Sequence, residues 1–157
     1  MSARIEIVPV QGPEQVALAR QLFCEYADAI GVDLEYQGFS AELAALPSPY
    51  EPASGALLLA RIGSDTAGCV ALRRLDDRTG EMKRLYVRTR FRGLGVAERL
   101  IAAVVDAAHR AGYAELKLDT LPSMTSAQAL YRKLGFATCP AYGDGHLPGT
   151  RFYSLAL

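Results

Sequence analysis

Apolar residues alternate at Ile5 and Ile7 in "RIEIVPV", the two-residue period of a strand with one buried face. Gly12-Pro13-Glu14 then opens a helix, proline being suited to a first helical turn. Ala19, Leu22, Phe23, Tyr26, Ala27 and Ile30 recur three and four residues apart, one buried stripe that Gly31 ends. "VDLEYQGF" is a polar and aromatic connector. Ser40 is the expected cap of a short helix through Leu46, which "PSPYEP" stops. "ALLLARI" and "AGCVALRRL" are apolar runs joined by Gly63-Ser64-Asp65-Thr66, a hairpin signal. After the turn "DDRTG", "EMKRLYV" adds a third strand to this meander.

A helix is predicted from about Leu94 to Ala111, with Val96, Leu100, Val104, Ala107 and Ala108 as its apolar stripe and Gly112 as its stop. "ELKLDT" alternates again at Leu116 and Leu118 and reads as a strand. Ser123 or Thr125 starts a helix to Leu134, closed by Gly135. "FATCPA" and "TRFYSLAL" form a closing pair of strands around "YGDGHLPG". A meander followed by a β-α-β crossover predicts an α/β fold. Its mixed sheet has about six or seven strands with about four helices packed on it. Only strands 81–87 and 115–120 need to run parallel.

Composition narrows the function. The chain has 157 residues, about one domain by length, and half of them are apolar. Lysine plus arginine number 17, as do aspartate plus glutamate, so no global charge favours nucleic acid or an anionic membrane. Cys24, Cys69 and Cys139 are odd in number and lack C-x-x-C spacing, which points to free, buried thiols. His109 and His146 belong to no ligand cluster, so no metal is expected. No run of about 18 apolar residues occurs and "MSARIEIVPV" is not a signal peptide, so a cytoplasmic protein is expected.

"RFRGLGVAERL" holds three arginines and two glycines just where a helix begins. Such residues add little to a core. A helix N-terminus, however, exposes unpaired N–H groups and carries roughly half a positive charge. Gly93 and Gly95 leave those amides open to a ligand, and Arg90 and Arg92 add forked donors for phosphate. The stretch from Arg90 to Ala97 can therefore cradle a pyrophosphate. It lacks the lysine and hydroxyl of a nucleoside-triphosphate loop. A dinucleotide fingerprint would need a third small residue where Glu98 stands. Asp119 does lie at a suitable distance for a ribose-binding acid, but the motif follows a meander and only one crossover follows it.

Arg90-x-x-Gly93-x-Gly95, after a strand ending "RLYV", resembles the acetyl-CoA motif of the GNAT N-acetyltransferases. "SAQALYRKLGF", Ser126 to Phe136, is similar to the second signature of that family. The two stand in the family's order and at its separation. The resemblance implies a single GNAT-like acyl-CoA N-acyltransferase domain over 1–157, taking acetyl-CoA as cosubstrate. It places the main chain of Leu85, Tyr86 and Val87 along the pantetheine arm, and the amides of Arg92, Gly93, Leu94, Gly95, Val96 and Ala97 at the pyrophosphate. Strand 81–87 should then splay from 115–120 at its C-terminal end to admit the pantetheine. Tyr131 would sit near the thioester sulfur, and Glu81 falls where some members carry a carboxylate base. Many members have an asparagine where this chain has Met124; the hydroxyl of Thr125 or Ser126 stands beside it as a substitute contact. A homodimer is compatible with the family, and no sequence feature fixes one.

Acetyl transfer to an amine needs a held thioester, a neutral amine, a stabilised oxyanion and a proton for the leaving thiolate. No cysteine or serine nucleophile motif occurs, which favours direct attack by the amine. An alkyl amine titrates at about 10.4, so little of it is free base at neutral pH, and a carboxylate such as Glu81 could accept its proton, directly or through water. Tyr131 is the expected donor to the thiolate. In this fold the connector after the first helix and the last hairpin close over the acceptor. Here they carry Asp33, Glu35, Tyr36, Glu51, Tyr142 and Asp144, suited to a cationic amine. Glu35, Tyr36 and Tyr142 are the expected acceptor contacts, with His146 also in reach. The acceptor is a small-molecule or peptide amine. A non-catalytic acyl-CoA-binding or sensing module would keep the Arg-Gly cradle without needing Tyr131.

Overall fold

The computed structural model describes residues 4–157. The chain forms β1 (Ile5–Pro9), α1 (Gly12–Ile30), a 3₁₀ turn (Leu34–Gln37) and α2 (Phe39–Ala45). The meander β2 (Ala56–Ile62), β3 (Asp65–Arg74) and β4 (Thr79–Val87) follows. Then come α3 (Val96–Arg110), β5 (Glu115–Thr120), α4 (Thr125–Lys133), β6 (Ala137–Thr138) and β7 (Arg151–Ala156). One seven-stranded sheet has the order β1-β2-β3-β4-β5-β7-β6, and only β4 and β5 run parallel. The mixed sheet with four α-helices is the expected fold.

Two apolar cores cover the two faces of the sheet. On one, Val96, Leu100, Ile101, Val104 and Ala108 of α3 pack on Leu72, Met82, Leu116 and Leu118. On the other, Ala19, Leu22 and Phe23 of α1 pack with Phe39, Tyr50, Leu57 and Leu59. Alternation along β5 sends Leu116 and Leu118 to the α3 face, so Lys117 and Asp119 point to the α1/α2 face.

Two local expectations change. Ser40 does not cap α2: Gly38 does, with φ of 73°, while the Ser40 N–H donates to Glu35 Oε1 at 2.8 Å. Of the cysteines only Cys69 is buried; Cys24 is exposed and Cys139 half-buried.

The feature that makes a site is a failure of pairing. β4 and β5 pair only through Thr79–Glu115, Gly80–Leu116 and Glu81–Lys117. Beyond that point β4 continues to Val87 and β5 to Thr120 with no partner between them. A bulge on β4 helps to open the gap. The register with β3 shifts between Cys69–Tyr86 and Ala71–Lys83, and Arg84 there takes φ of 62°. Such a conformation is rare outside glycine and is kept only where neighbours over-determine it. Arg84 is so held: its Nε and Nη2 donate to the two oxygens of Glu42 in α2 at 3.1 and 2.7 Å, and its Nη1 donates to Gln37 at 2.9 Å.

Candidate active site

Three spaces meet at the gap. On the α3 face, Leu85, Val87, Arg92, Gly93, Gly95, Val96, Ala97, Ser126 and Leu130 line a cleft of about 330 Å³. A second cleft of about 260 Å³ continues it past Tyr26, Met124 and Thr125. On the other side a cavity of about 480 Å³ is walled by α2, the 3₁₀ turn and the β6–β7 loop, with Glu81, Lys83 and Asp119 at its sheet side. Between them runs a narrow throat lined by Lys83, Leu85, Asp119, Thr120, Tyr131 and His146 among others.

The α3 side presents unpaired main-chain donors. The first intrahelical N–H of α3 to find a partner is that of Arg99, which donates to Gly95 O at 3.1 Å. The amides of Val96, Ala97 and Glu98 are therefore free at the helix N-terminus. Gly95 opens the helix at φ of 85°, and a Cβ at Gly93 or Gly95 would meet nothing within 4 Å. The space over the cradle is thus open to a ligand. Among the strand residues, Arg88 N–H donates to Ala67 O at 2.8 Å. Ladder alternation then commits the polar groups of Arg88 and Tyr86 to β3, and turns those of Leu85 and Val87 into the gap.

Four residues differ from the sequence expectation. Tyr86 offers the gap no main-chain bond; its side chain packs edge-on against Tyr26 instead. The Arg92 N–H is spent on Thr89 O at 3.2 Å, and its Nε donates to Val87 O at 3.2 Å. Arg92 contributes its charge at the cleft wall rather than an amide. Arg90 turns away to pair with Asp65 at 2.8 Å. Leu94 is half exposed and lies outside the residues that line the cleft.

Tyr131 lines the throat. It is 4% exposed, with its ring against Phe136 and Tyr153 at centroid distances of 5.7 and 6.1 Å. Burial pushes its phenol well above the ordinary tyrosine range, so the hydroxyl stays protonated at any physiological pH. Thr120 Oγ1, also buried at the throat, lacks a hydrogen-bond partner. It is an open polar contact for whatever threads the gap.

On the acceptor side Glu81 lies in the cavity wall, yet both its oxygens are engaged. Arg73 Nε donates to Oε1 at 2.6 Å and the Tyr142 hydroxyl to Oε2 at 2.7 Å. Tyr36 and Tyr142 line the cavity; Glu35 does not, because its carboxylate takes the Ser40 N–H and hydroxyl. Asp33 is likewise used locally, accepting from Glu35 N at 2.9 Å. Of the acidic loop residues expected to greet a cation, Asp33 and Glu35 are therefore satisfied locally, whereas Asp144 lines the cavity. The charges at the cavity come from the sheet (Arg73, Glu81, Lys83 and Asp119), from Glu42 of α2 and from Asp144 of the β6–β7 loop. Burial pulls the Lys83 ammonium below its usual range and lifts the Asp119 carboxyl above its own. Lys83 was legible only as a polar position in a strand, and Asp119 only as an acid at the spacing of a dinucleotide motif.

Comparison with known proteins identifies the family. The model of the acetyltransferase (GNAT) family matches residues 20–136. An uncharacterised N-acetyltransferase of Schizosaccharomyces pombe is 34% identical over 157 residues, covering 99% of this chain and 96% of that one. A GNAT-family acetyltransferase of Staphylococcus aureus superposes with a TM-score of 0.82 at 20% identity, covering 98% of this chain and 99% of that one. One from Elizabethkingia anophelis, solved with acetyl-CoA bound, gives 0.63 at 24% identity and 98% coverage of both. The chain belongs to the GNAT family of acetyltransferases. Among the described residues no group of three or more His, Cys, Asp or Glu could hold a metal ion, and no helix is long and apolar enough to cross a membrane.

Proposed function

We propose that the enzyme moves the acetyl group of acetyl-CoA to a primary amine of a small molecule or peptide, by direct attack with both substrates bound. The observation that carries this reading is the throat. Leu85 lines both it and the donor clefts, while Lys83, Asp119, Tyr36, Gln37 and His146 line both it and the acceptor cavity. A thioester laid along Leu85 and Val87 from the α3 side would meet an amine arriving from the α2 side.

The residues divide the work. Free amides of Val96, Ala97 and Glu98 hold the pyrophosphate, with Arg92 adding charge. The open polar groups of Leu85 and the N–H of Val87 bond the pantetheine arm, as an added strand would, and Ser126 or Thr125 stands in for an asparagine. The amine nitrogen attacks the carbonyl carbon, the C–N bond forms, and the C–S electron pair leaves with sulfur. Tyr131 donates a hydrogen bond to that sulfur as its charge grows. Glu81 and Arg73 fix the Tyr142 hydroxyl, and with Tyr36 it walls the acceptor.

The test is thiol release from acetyl-CoA in the presence of a panel of alkylamines, amino acids and peptides, with the product identified by mass spectrometry. Amine-dependent release with an N-acetyl product is expected. Tight acetyl-CoA binding with no release from any amine would instead support the sensing module.

A further inference from the structure

We propose that Asp119, backed by His146, takes the proton from the acceptor amine. This rests on the acetyl-transfer reading and names the base that serves it. Asp119 lies two residues beyond the last β4–β5 pair, Glu81–Lys117, where the sheet has already opened. It lines the throat with Leu85 and Tyr131, and also the acceptor cavity with Glu81 and Tyr142. A base must reach both the amine and the place of attack. Glu81 lines the cavity and not the throat.

Availability of lone pairs separates the two carboxylates further. The Glu81 side chain is 3% exposed, and both its oxygens already accept bonds from Arg73 and Tyr142. The Asp119 side chain is 23% exposed, and its nearest ionic neighbour is His146, with Nδ1 3.9 Å from Oδ2. That distance is too long for a hydrogen bond and closes to one with a movement of about 1 Å.

The ring is set to receive a proton. His146 Nε2 bonds the Tyr142 carbonyl oxygen. A carbonyl only accepts, so Nε2 carries the hydrogen and neutral His146 presents a bare Nδ1 to Asp119. Phe152 holds the ring edge-on at a centroid distance of 4.6 Å. Two acceptors thus face each other across a gap that one proton fills.

The surroundings favour that proton. Asp119 is faced by Lys83, Glu81 and Arg84 from β4, by His146 and Tyr142 from the β6–β7 loop, and by the phenols of Tyr26, Tyr36 and Tyr131. Burial raises the affinity of Asp119 for a proton, which Lys83 partly offsets. The reaction balances as follows. Two protons leave the nitrogen of R–NH₃⁺ as the C–N bond forms; one ends on sulfur, and the other passes through Asp119 and His146 to solvent.

The experiment follows thiol release from acetyl-CoA with the same amine panel, from about pH 6 to about pH 9. Asp119→Asn should lower kcat on the order of 10²-fold or more and abolish the acid limb of the profile. Asp119→Glu should recover part of the rate, and Glu81→Gln should keep the limb. Calorimetry with acetyl-CoA verifies that each variant is folded. A wild-type profile in Asp119→Asn, or loss of the limb in Glu81→Gln alone, overturns the assignment. Absence of release from wild type with every amine overturns the transfer reading itself. ¹⁵N NMR of His146 tests the relay without any acceptor: the Nε2–H tautomer supports it, and the Nδ1–H tautomer overturns it.

Discussion

Tyr131 joins a packing position to a proposed chemical role. Its ring closes the core between Phe136 and Tyr153, while its edge lines the throat. Because burial keeps the phenol protonated, the role proposed for it is a hydrogen bond to the departing sulfur. Tyr131→Phe keeps the ring, so acetyl-CoA affinity should hold while turnover falls on the order of 10²-fold or more. Steady-state kinetics with affinity measured separately checks this; wild-type turnover would leave Tyr131 as packing only. Asp119 predicts a pH effect on stability. Its folded-state affinity for a proton is raised, chiefly by burial, so the folded protein holds the proton to higher pH than the unfolded chain. Stability from this group therefore falls as pH rises from the unfolded value of about 3.9 through the raised one. Asp119→Asn should melt higher than wild type at neutral pH, and the difference should vanish towards pH ~4. Thermal melts across pH read it out.

At the scale of elements, α2 and β4 are joined by a buried ion pair. Arg84 and Glu42 have side chains 3% and 9% exposed, and the Tyr50 hydroxyl also donates to Glu42 at 2.8 Å. Arg84 spans the bulge that opens the gap, so this contact ties the roof of the acceptor cavity to the strand whose bulge makes the cavity useful. Glu42→Ala leaves a guanidinium buried without its partner and should cost about 3–5 kcal/mol in urea unfolding. Charge removal on both sides, in a Glu42→Gln, Arg84→Met pair, should cost less than the single change. At the other end of β4, Gly95 begins α3 with φ of 85°. Gly95→Leu meets two obstacles: a left-handed backbone worth about 1–2 kcal/mol, and a side chain over the free amides. Calorimetry should show acetyl-CoA binding abolished while the variant stays folded; retained affinity would move the pyrophosphate elsewhere.

For the whole molecule, the splay between β4 and β5 is the organising fact. The donor substrate would lie across β4, α3 and α4, elements otherwise brought together mainly by their apolar sides. Binding should then stabilise the fold: at about 100 times Kd, acetyl-CoA adds ~2.7 kcal/mol, or a rise in Tm of roughly 5–10 °C. Dinucleotides such as NADH should not match it. Arg92→Ala should weaken acetyl-CoA binding modestly, and mainly at low salt, because the residue is exposed and its charge is screened.

Much of this was local enough to read from the chain. Hydrophobic periods of two and near four marked the strands and helices, since each buries one face; and glycine at Gly31, Gly112 and Gly135 marked helix ends, since it alone turns left-handed at no cost. The Gly93 and Gly95 cradle and Tyr131 were legible for the same reason: a helix start and a helix face are defined by neighbours in sequence. Orientation of long side chains was not. Arg90 and Arg92 stand two residues apart, yet one faces Asp65 and the other the cleft. Glu35 and Asp33 looked like acceptor contacts and became local caps, because a carboxylate in a turn finds the nearest free N–H first. Asp119, Lys83 and His146 come from two strands and a loop, and they meet only because the sheet parts between β4 and β5. Periodicity determines which face of a strand a residue occupies. Only the tertiary structure decided which charges share that face across the gap, since their partners lie tens of residues away and compete for the same lone pairs.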